Sequence, residues 1–210
     1  TGLAMSIPEV RDYQQQTTSF DAFGWFRVGL YHLTAPGEPR FVTVVAVTSA
    51  LARQLGPPLL GQWLADDTSA VISSAHWRRL GGSAEIIGSA ITLDGRRYTI
   101  SGVMPPAFRL PLATPGIRQG DTDVWIPLDP LPPDANRGSG AYLAYARRKP
   151  GVSLAQAQAD VRRAATIVAA TDPQRYQFYT ADAADLREWI TPGLRATLLI
   201  LLGGAGLLLL

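Results

Sequence analysis

The sequence predicts an α+β protein in which a smaller mixed α/β insertion interrupts a layer of helices and strands. Three observations carry that expectation. Short β-branched runs bounded by turn residues recur between residues 20 and 128. Two stretches with helical spacing, one before and one after those runs, each open on a capping box. Segments dense in Pro and Gly separate the middle of the chain from its C-terminal third. A hydrophobic content of 47% over 210 residues is ordinary for a folded chain and is enough to bury real cores.

In chain order, Ser6-Ile7-Pro8-Glu9 is the first capping box: a Ser cap, Pro tolerated in the first turn, and Glu three residues on. Ile7, Val10 and Tyr13 then give a modest apolar stripe, which Thr17-Thr18-Ser19 breaks. Residues 20–33 and 39–48 read as two paired strands, with turn chemistry at Ala35-Pro36-Gly37-Glu38. A short helix is expected from Ser49 to Leu55, ended by Gly56-Pro57-Pro58. Ala70-Val71-Ile72 is a short apolar run of the interior-strand type. Ser73 and Ser74 can cap a helix bearing Trp77 and Leu80, and Gly81-Gly82 would stop it. Ile91-Thr92-Leu93 and Tyr98-Thr99-Ile100 flank Asp94-Gly95, a dipeptide suited to a two-residue type I′ turn because both positions need positive φ. In that register Ile91, Leu93, Tyr98 and Ile100 share one face. Residues 123–128 and 142–147 read as strands, and 129–140 as a connection. Ser153 with Gln156 makes the second capping box, followed by Leu154, Ala157, Val161, Ala164, Ala165 and Val168 at helical spacing. Tyr176 to Thr180 is expected to be a closing strand.

Several of these motifs carry a resemblance. The run S-x-x-x-W-R-R (73–79), the double Gly, I-I-G (86–88), the L-D-G-R-x-Y-T-I hairpin (93–100) and G-V-M-P-P-x-F (102–108) resembles the MacB-like periplasmic core domain. That domain sits between the first two membrane helices of one class of ABC-transporter permease subunits, the FtsX-like class. D-V-W-x-P-L (123–128), R-x-x-P-G-V-S-L-A-Q-A-Q-A-D (147–160) and the leading S-x-P-E-x-x-D-Y (6–13) are similar to the same family. The sequence departs from the usual pattern at Gln62, in a shortened linker around Asp66-Asp67, and in a W-R-R-L-G-G segment one residue shorter than typical. The resemblance implies a ferredoxin-like, porter-type subdomain from residues 1–48 plus 134–193, with 49–133 as the inserted subdomain. It marks Trp77, Gly88, Asp94, Gly95, Gly102, Pro105, Phe108, Trp125 and Pro127 as family-motif residues, with structural roles.

Residues 194–210, LRATLLILLGGAGLLLL, are apolar but for Arg195 and the Thr and Gly interruptions. At about 1.5 Å per residue they span roughly 26 Å, against a hydrocarbon core of about 30 Å. A buried terminal helix and the truncated start of a transmembrane helix compete for this stretch. Gly203, Gly204 and Gly206 would weaken a soluble helix, whereas small residues suit membrane-helix packing, and the second reading is favoured.

Charge and residue chemistry exclude several functions. The formal charge of +2 comes from 19 basic against 17 acidic residues, the basic ones scattered as pairs, so no nucleic-acid-binding face is expected. No cysteine means no disulfide, thiolate or cysteine-zinc chemistry. His32 and His76 lack the acidic neighbours of a metal motif, and Ser73 and Ser74 lack a G-x-S-x-G elbow. The loop carboxylates Asp66, Asp67, Asp121 and Asp123 do not form an EF-hand run. No catalytic residue, metal or cofactor is expected, and no phosphate loop is present, so an ATPase would lie in a separate domain or subunit.

The expected function is therefore an extracytoplasmic, periplasmic module of an inner-membrane permease, coupling ATP-driven helix motion to transport or to mechanical signalling across the envelope. The resemblance implies an ABC ATPase partner, a dimer of permeases, a membrane setting and a possible envelope partner protein. A membrane-anchored ligand-binding or sensor domain is the alternative. A hydrolase would need His76, Ser73 and a carboxylate within hydrogen-bond reach.

Overall fold

The structure is a computed structural model, which describes residues 5–35, 37–108, 122–128, 141–177 and 181–186. It has the α+β architecture, a mixed sheet flanked by helices. Helix α1 (Ile7–Gln16) opens on the expected capping box: Glu9 accepts the Ser6 N–H at 2.5 Å, and Ser6 Oγ accepts the Glu9 N–H. Strand β1 (Phe20–Ala35) is long enough to serve two neighbourhoods, and β2 (Arg40–Val47) returns antiparallel along its second half. Then come α2 (Ser49–Ala52), shorter than the expected helix, β3 (Leu60–Gly61), β4 (Ser69–Ile72), α3 (Ser74–Arg79) and a 3₁₀ turn over Ala84–Ile86. The hairpin β5 (Ala90–Leu93) and β6 (Arg96–Val103) is followed by β7 (Val124–Pro127), β8 (Leu143–Arg148), α4 (Leu154–Thr171) and α5 (Pro173–Tyr176).

Among the described residues, six of the strands close into a ring in the order β1, β2, β7, β4, β6, β5 and back to β1. The β2–β7 and β4–β6 pairings are parallel and the others antiparallel. Because side chains alternate along a strand, every second residue enters the ring. Val42, Val44, Ala46, Ala70, Ile72, Ile91, Leu93, Tyr98, Ile100, Val124 and Ile126 fill it. The residues between them face outward yet are buried too: Val45, Val47, Val71 and Trp125 pack with Phe26, Leu51, Ala52 and Met104 in a second core. That two-sided burial accounts for the consecutive buried apolar residues Val44–Val47, Ala70–Ile72 and Val124–Ile126.

The first half of β1 belongs to a different neighbourhood. From Phe20 to Phe26 it pairs antiparallel with β8, and α1 and α4 pack against each other beside this pair. The stripe Ala157, Val161, Ala164 and Val168 of α4 is buried, with Leu154 and Ala165 at its margin. One expectation fails. Tyr176 ends the helical turn α5, capped by Asp172 and opened by Pro173, instead of starting a strand. Pro at the first helical position pre-sets φ for a turn, and Asp before it caps one, so local chemistry decided the outcome. Residues 178–180, the rest of that expected strand, and the apolar stretch 194–210 lie outside the described residues. Among the described residues no helix is long and apolar enough to cross a membrane.

Asp94 and Gly95 take φ of 47° and 78°, as the type I′ turn requires, and Ile91, Leu93, Tyr98 and Ile100 share the buried face. Gly102 is constrained by space instead. Strand β3 crosses β6 so closely that a Cβ on Gly102 would run into the Gln62 carbonyl oxygen and lie 3.2 Å from that of Leu60. Backbone cannot yield as a side-chain tip can. Gly102→Ala is therefore expected to cost about 1–3 kcal/mol through overpacking, seen as a drop of several degrees in a circular-dichroism melt. An unchanged midpoint would mean that β3 does not sit against β6.

Candidate functional site

The described residues hold no catalytic constellation, and the most organised polar structure is a clasp centred on α4. Gln158, Asp160, Arg162 and Arg163 project from it outside the apolar stripe. Asp160 Oδ2 accepts the backbone N–H groups of Thr18 and Ser19 at 2.7 and 2.8 Å, where α1 hands over to β1. Arg163 donates both to Asp160 and to the Gln16 carbonyl, one of the acceptors left free at the end of α1. On the neighbouring side Arg162 donates to Asp182 Oδ2 at 2.5 Å, and Gln158 Nε2 to the Ala183 carbonyl at 2.9 Å. One helix thus grips the α1–β1 junction with one pair of side chains and residues 182–183 with another. Burial raises the Asp160 pKa, but Arg163 and the Thr18 and Ser19 groups outweigh it and hold the carboxyl well below the usual range. The Asp182 pKa is lowered chiefly by its hydrogen bond from Arg162.

The sequence-marked residues are spread around the ring. Trp77 leaves α3 to pack on the ring core, and its Nε1 donates to the Ser83 carbonyl at 2.8 Å. Gly88 follows the 3₁₀ turn with φ of 88° and donates its N–H to Ile100. Asp94 Oδ1 accepts the His32 N–H at 2.8 Å, so the hairpin turn also helps join β5 to β1. The carbonyl of Pro105 receives the Phe108 N–H at 3.0 Å, which turns the exit loop back. Phe108 and Trp125 stand edge to face at 5.5 Å, and Trp63 meets Trp125 at 6.4 Å and Phe108 at 6.1 Å. Pro127 closes β7 opposite Val47, and Gly102 lies under β3. The structure gathers only Phe108 and Trp125, with Pro105 beside them.

A hydrolase site is not assembled. Ser73 Oγ is occupied as the α3 cap, accepting the His76 backbone N–H at 3.0 Å. The His76 ring is fully buried, and its Nδ1 faces Arg40 Nη2 at 2.9 Å, with Asp123 Oδ1 farther off at 3.7 Å. A small cavity of about 100 Å³ lies beside Met104, Pro105, Phe108 and Trp125. That is well below the roughly 300 Å³ at the small end of ligand pockets. A second concavity, of about 560 Å³, is a shelf beside Arg27, Leu30 and Tyr31 that stays open to solvent instead of enclosing a ligand. Among the described residues no three His, Cys, Asp or Glu side chains gather as a metal site would require.

Sequence reasoning passed over the α4 clasp. Arg162-Arg163 reads as one more scattered pair, and Asp160 as solvated helix surface. The available signal was Asp160 three residues before Arg163, a spacing that places opposite charges side by side on a helix. It names neither partner, since Thr18 and Asp182 are remote in sequence.

Comparison with known proteins supplies what the geometry lacks. The sequence model of the MacB-like periplasmic core domain matches residues 3–164. No curated protein matches the chain. Among solved structures, the extracellular domain of the noncanonic ABC-type transporter YknZ from Gram-positive bacteria superposes with a TM-score of 0.58 at 13% identity. The alignment covers 86% of this chain and 87% of that one. A domain of a protein described as a permease from Porphyromonas gingivalis gives 0.57 at 19% identity, over 80% and 77%. The periplasmic region of MacB from Actinobacillus actinomycetemcomitans gives 0.55 at 9% identity, over 86% of each. At such identities these likenesses establish the fold.

The clasp predicts a pH dependence. Asp160 and Asp182 are more acidic folded than unfolded, so their stabilisation is present above the unfolded value of about 3.9 and is lost as the pH falls below it. Asp160→Ala is expected to lower stability at pH 7 by about 2 kcal/mol, the scale of hydrogen bonds to a charged group. The gap from the unmodified chain should narrow in acid. Urea titrations across that pH range would measure both, and a pH-independent gap would remove the carboxylate from the account.

Proposed function

This chain belongs to the MacB-like periplasmic core domain family, a periplasmic domain of MacB/FtsX-like ABC permeases, and on that premise we propose that it transmits force between membrane helices and the envelope. The family's domain is not itself catalytic, and its permeases work with an ATPase subunit. In the proposed mechanism ATP binding moves the membrane helices, and the domain follows as a rigid body, so that two copies in a permease dimer tilt or separate. Transport, or signalling to an envelope partner protein, would be the output. The ATPase would occupy a separate domain or subunit, and residues 194–210 would begin a transmembrane helix of an inner-membrane permease.

The observation that supports this reading is the α4 clasp. A relay must not stretch between its points of attachment. Asp160 and Arg163 fasten α4 to the α1–β1 junction, and Arg162 and Gln158 fasten residues 182–183 to the same helix. Movement applied on either side therefore reaches one packed unit. We place the porter-type unit at residues 1–48 plus 134–193 and the inserted unit at 49–133, with Trp77, Gly88, Asp94, Gly95, Gly102, Pro105, Phe108, Trp125 and Pro127 as structural fasteners. The ligand-binding alternative draws no support from a closed cavity of about 100 Å³ or from a larger shelf that lies open to solvent.

These 210 residues contain no cysteine, so any cysteine elsewhere in the permease would first be replaced. Spin labels at Gln15→Cys and Ala155→Cys, both exposed, would be placed in the full permease reconstituted with its ATPase. Distances between copies should change on nucleotide binding, while the Gln15–Ala155 distance within one domain should not. Inter-copy distances that ignore nucleotide would refute force transmission, and a changing internal distance would refute the rigid body.

A further inference from the structure

Strand β1 has two partners along one edge, β8 and β5, and they do not meet. Phe26 is the last residue opposite β8, paired with Leu143, and Leu33 is the first opposite β5, paired with Leu93. His32 still reaches Asp94, which accepts its N–H on Oδ1 and gives its own N–H to the His32 carbonyl. Between these limits Arg27 to Tyr31 have no strand on this edge among the described residues, although β2 pairs with them along the other. Backbone groups alternate between the two edges of a strand. The Trp25 carbonyl accepts from Thr48 on the β2 side, His32 faces β5, and the register with β2 is unbroken from Phe26 to Leu33. The N–H and C=O groups of Val28 and Leu30 therefore point into the gap. The open shelf of about 560 Å³ is this gap: Arg27 to Tyr31 form its floor, with Asp94 at the β5 end and Ala141 at the β8 end.

We propose that this edge is a strand-addition site, which takes up a short extended segment of a partner polypeptide in line with β5 and β8. The segment would run antiparallel to β1, as β5 and β8 do, and exchange backbone hydrogen bonds with Val28 and Leu30. A small ligand needs a closed pocket, whereas an added strand needs an edge left open, so the shelf suits only the second use. At about 3.4 Å per residue the open stretch is about 17 Å long. Strands β5 and β8 act as stops at its ends. They turn away a long flat strand, and so limit the indiscriminate pairing that an open edge invites.

The side chains beside the edge define what the segment should carry. Val28 and Leu30 project to one face, where Leu30 is 71% exposed and Phe41, its diagonal neighbour on β2, is 72% exposed. Apolar side chains on the two residues bonded to Val28 and Leu30 would cover that surface. Arg27 and Tyr31 project to the other face, with Arg27 Nη2 donating to the Tyr31 hydroxyl at 2.7 Å. That partner is neutral, and no carboxylate among the described residues pairs with Arg27. The carboxylate of Asp94 lies at the opposite end of the gap. An antiparallel segment meets Asp94 with its first residue and Arg27 with its last. The order that fits is therefore basic, apolar, polar, apolar, acidic. Force transmission needs no such peptide, so this inference stands apart from it.

The test is hydrogen exchange on the full permease in nanodiscs, resolved to single amides by fragmentation. Without peptide, and after correction for intrinsic rates, Val28 and Leu30 should exchange on the order of 100-fold faster than Gly29 and Tyr31, whose N–H groups point to β2. A blocked peptide of sequence KVTVE at about 1 mM should slow Val28 and Leu30 roughly tenfold. The same peptide N-methylated at both valines should leave them fast, because it has lost the donors that the edge would use. Arg27→Glu in the protein, or KVTVK in place of KVTVE, should each weaken the slowing, and the two changes together should restore it. Slow exchange at Val28 and Leu30 without peptide would show an edge already covered, by the chain itself or by a second copy, and would overturn the proposal. So would no slowing by KVTVE, or equal slowing by the N-methylated form.

Discussion

The architecture depends on one strand being shared. Over Phe20 to Phe26, β1 hydrogen-bonds β8 and lies beside the two long helices; over Phe26 to Leu33 it bonds β2, and its last residues meet β5 to close the ring. A single continuous backbone thereby joins the helical layer to the barrel without a hinge. Bending there would break ladder hydrogen bonds in two neighbourhoods at once, so the sheet itself supplies stiffness that a linker could not. The α4 clasp extends this stiffness to the opposite side of the layer, where Asp160 reads the backbone at the very start of β1.

The second core explains how so small a ring stays closed. Six strands have little interior, and Val, Ile and Leu fill it. The outward faces of β2, β4 and β7 are then sealed by α2, Met104 and the aromatic trio Trp63, Phe108 and Trp125. Polar requirements are met at the seams: Thr48 Oγ1 accepts the Trp25 N–H, and Asp123 accepts the Thr43 N–H beside the parallel β2–β7 pairing. Each seam joins elements that are close in space and distant in sequence.

That distance governs what could be read from the residues alone. Local signals were legible because their physics is local. The Ser6 and Ser153 capping boxes, the Ser73 cap and the Asp94-Gly95 turn each stand in the structure as spacing predicts. Motifs such as W-R-R and D-V-W-x-P-L pointed to the family that the comparison returns. The ring closure was hidden, since nothing in Val44 or Val124 names the other as its neighbour. The clasp was hidden for the same reason, with Asp160 reaching back to Thr18. Tyr176 shows the opposite failure: a β-favouring composition was overruled by the Asp172–Pro173 start of a helical turn. His76 looked ordinary because burial belongs to the fold, and only the fold puts Arg40 and Asp123 on either side of one nitrogen.

The parallel pairing of Val44–Val47 with Val124–Pro127 has a temporal consequence. A chain emerging N-terminus first presents β1 and β2 as a hairpin long before β7 exists. Until residue 127 arrives, the far edge of β2 has open backbone donors and acceptors flanked by Val on both faces. Such an edge is a template for pairing with another chain. Closing it also requires a loop of some eighty residues to be drawn in, the kind of remote contact that slows folding. The interval between the synthesis of β2 and the docking of β7 is therefore the period when this domain is most exposed to misassembly, and fragments ending before β7 would never leave it.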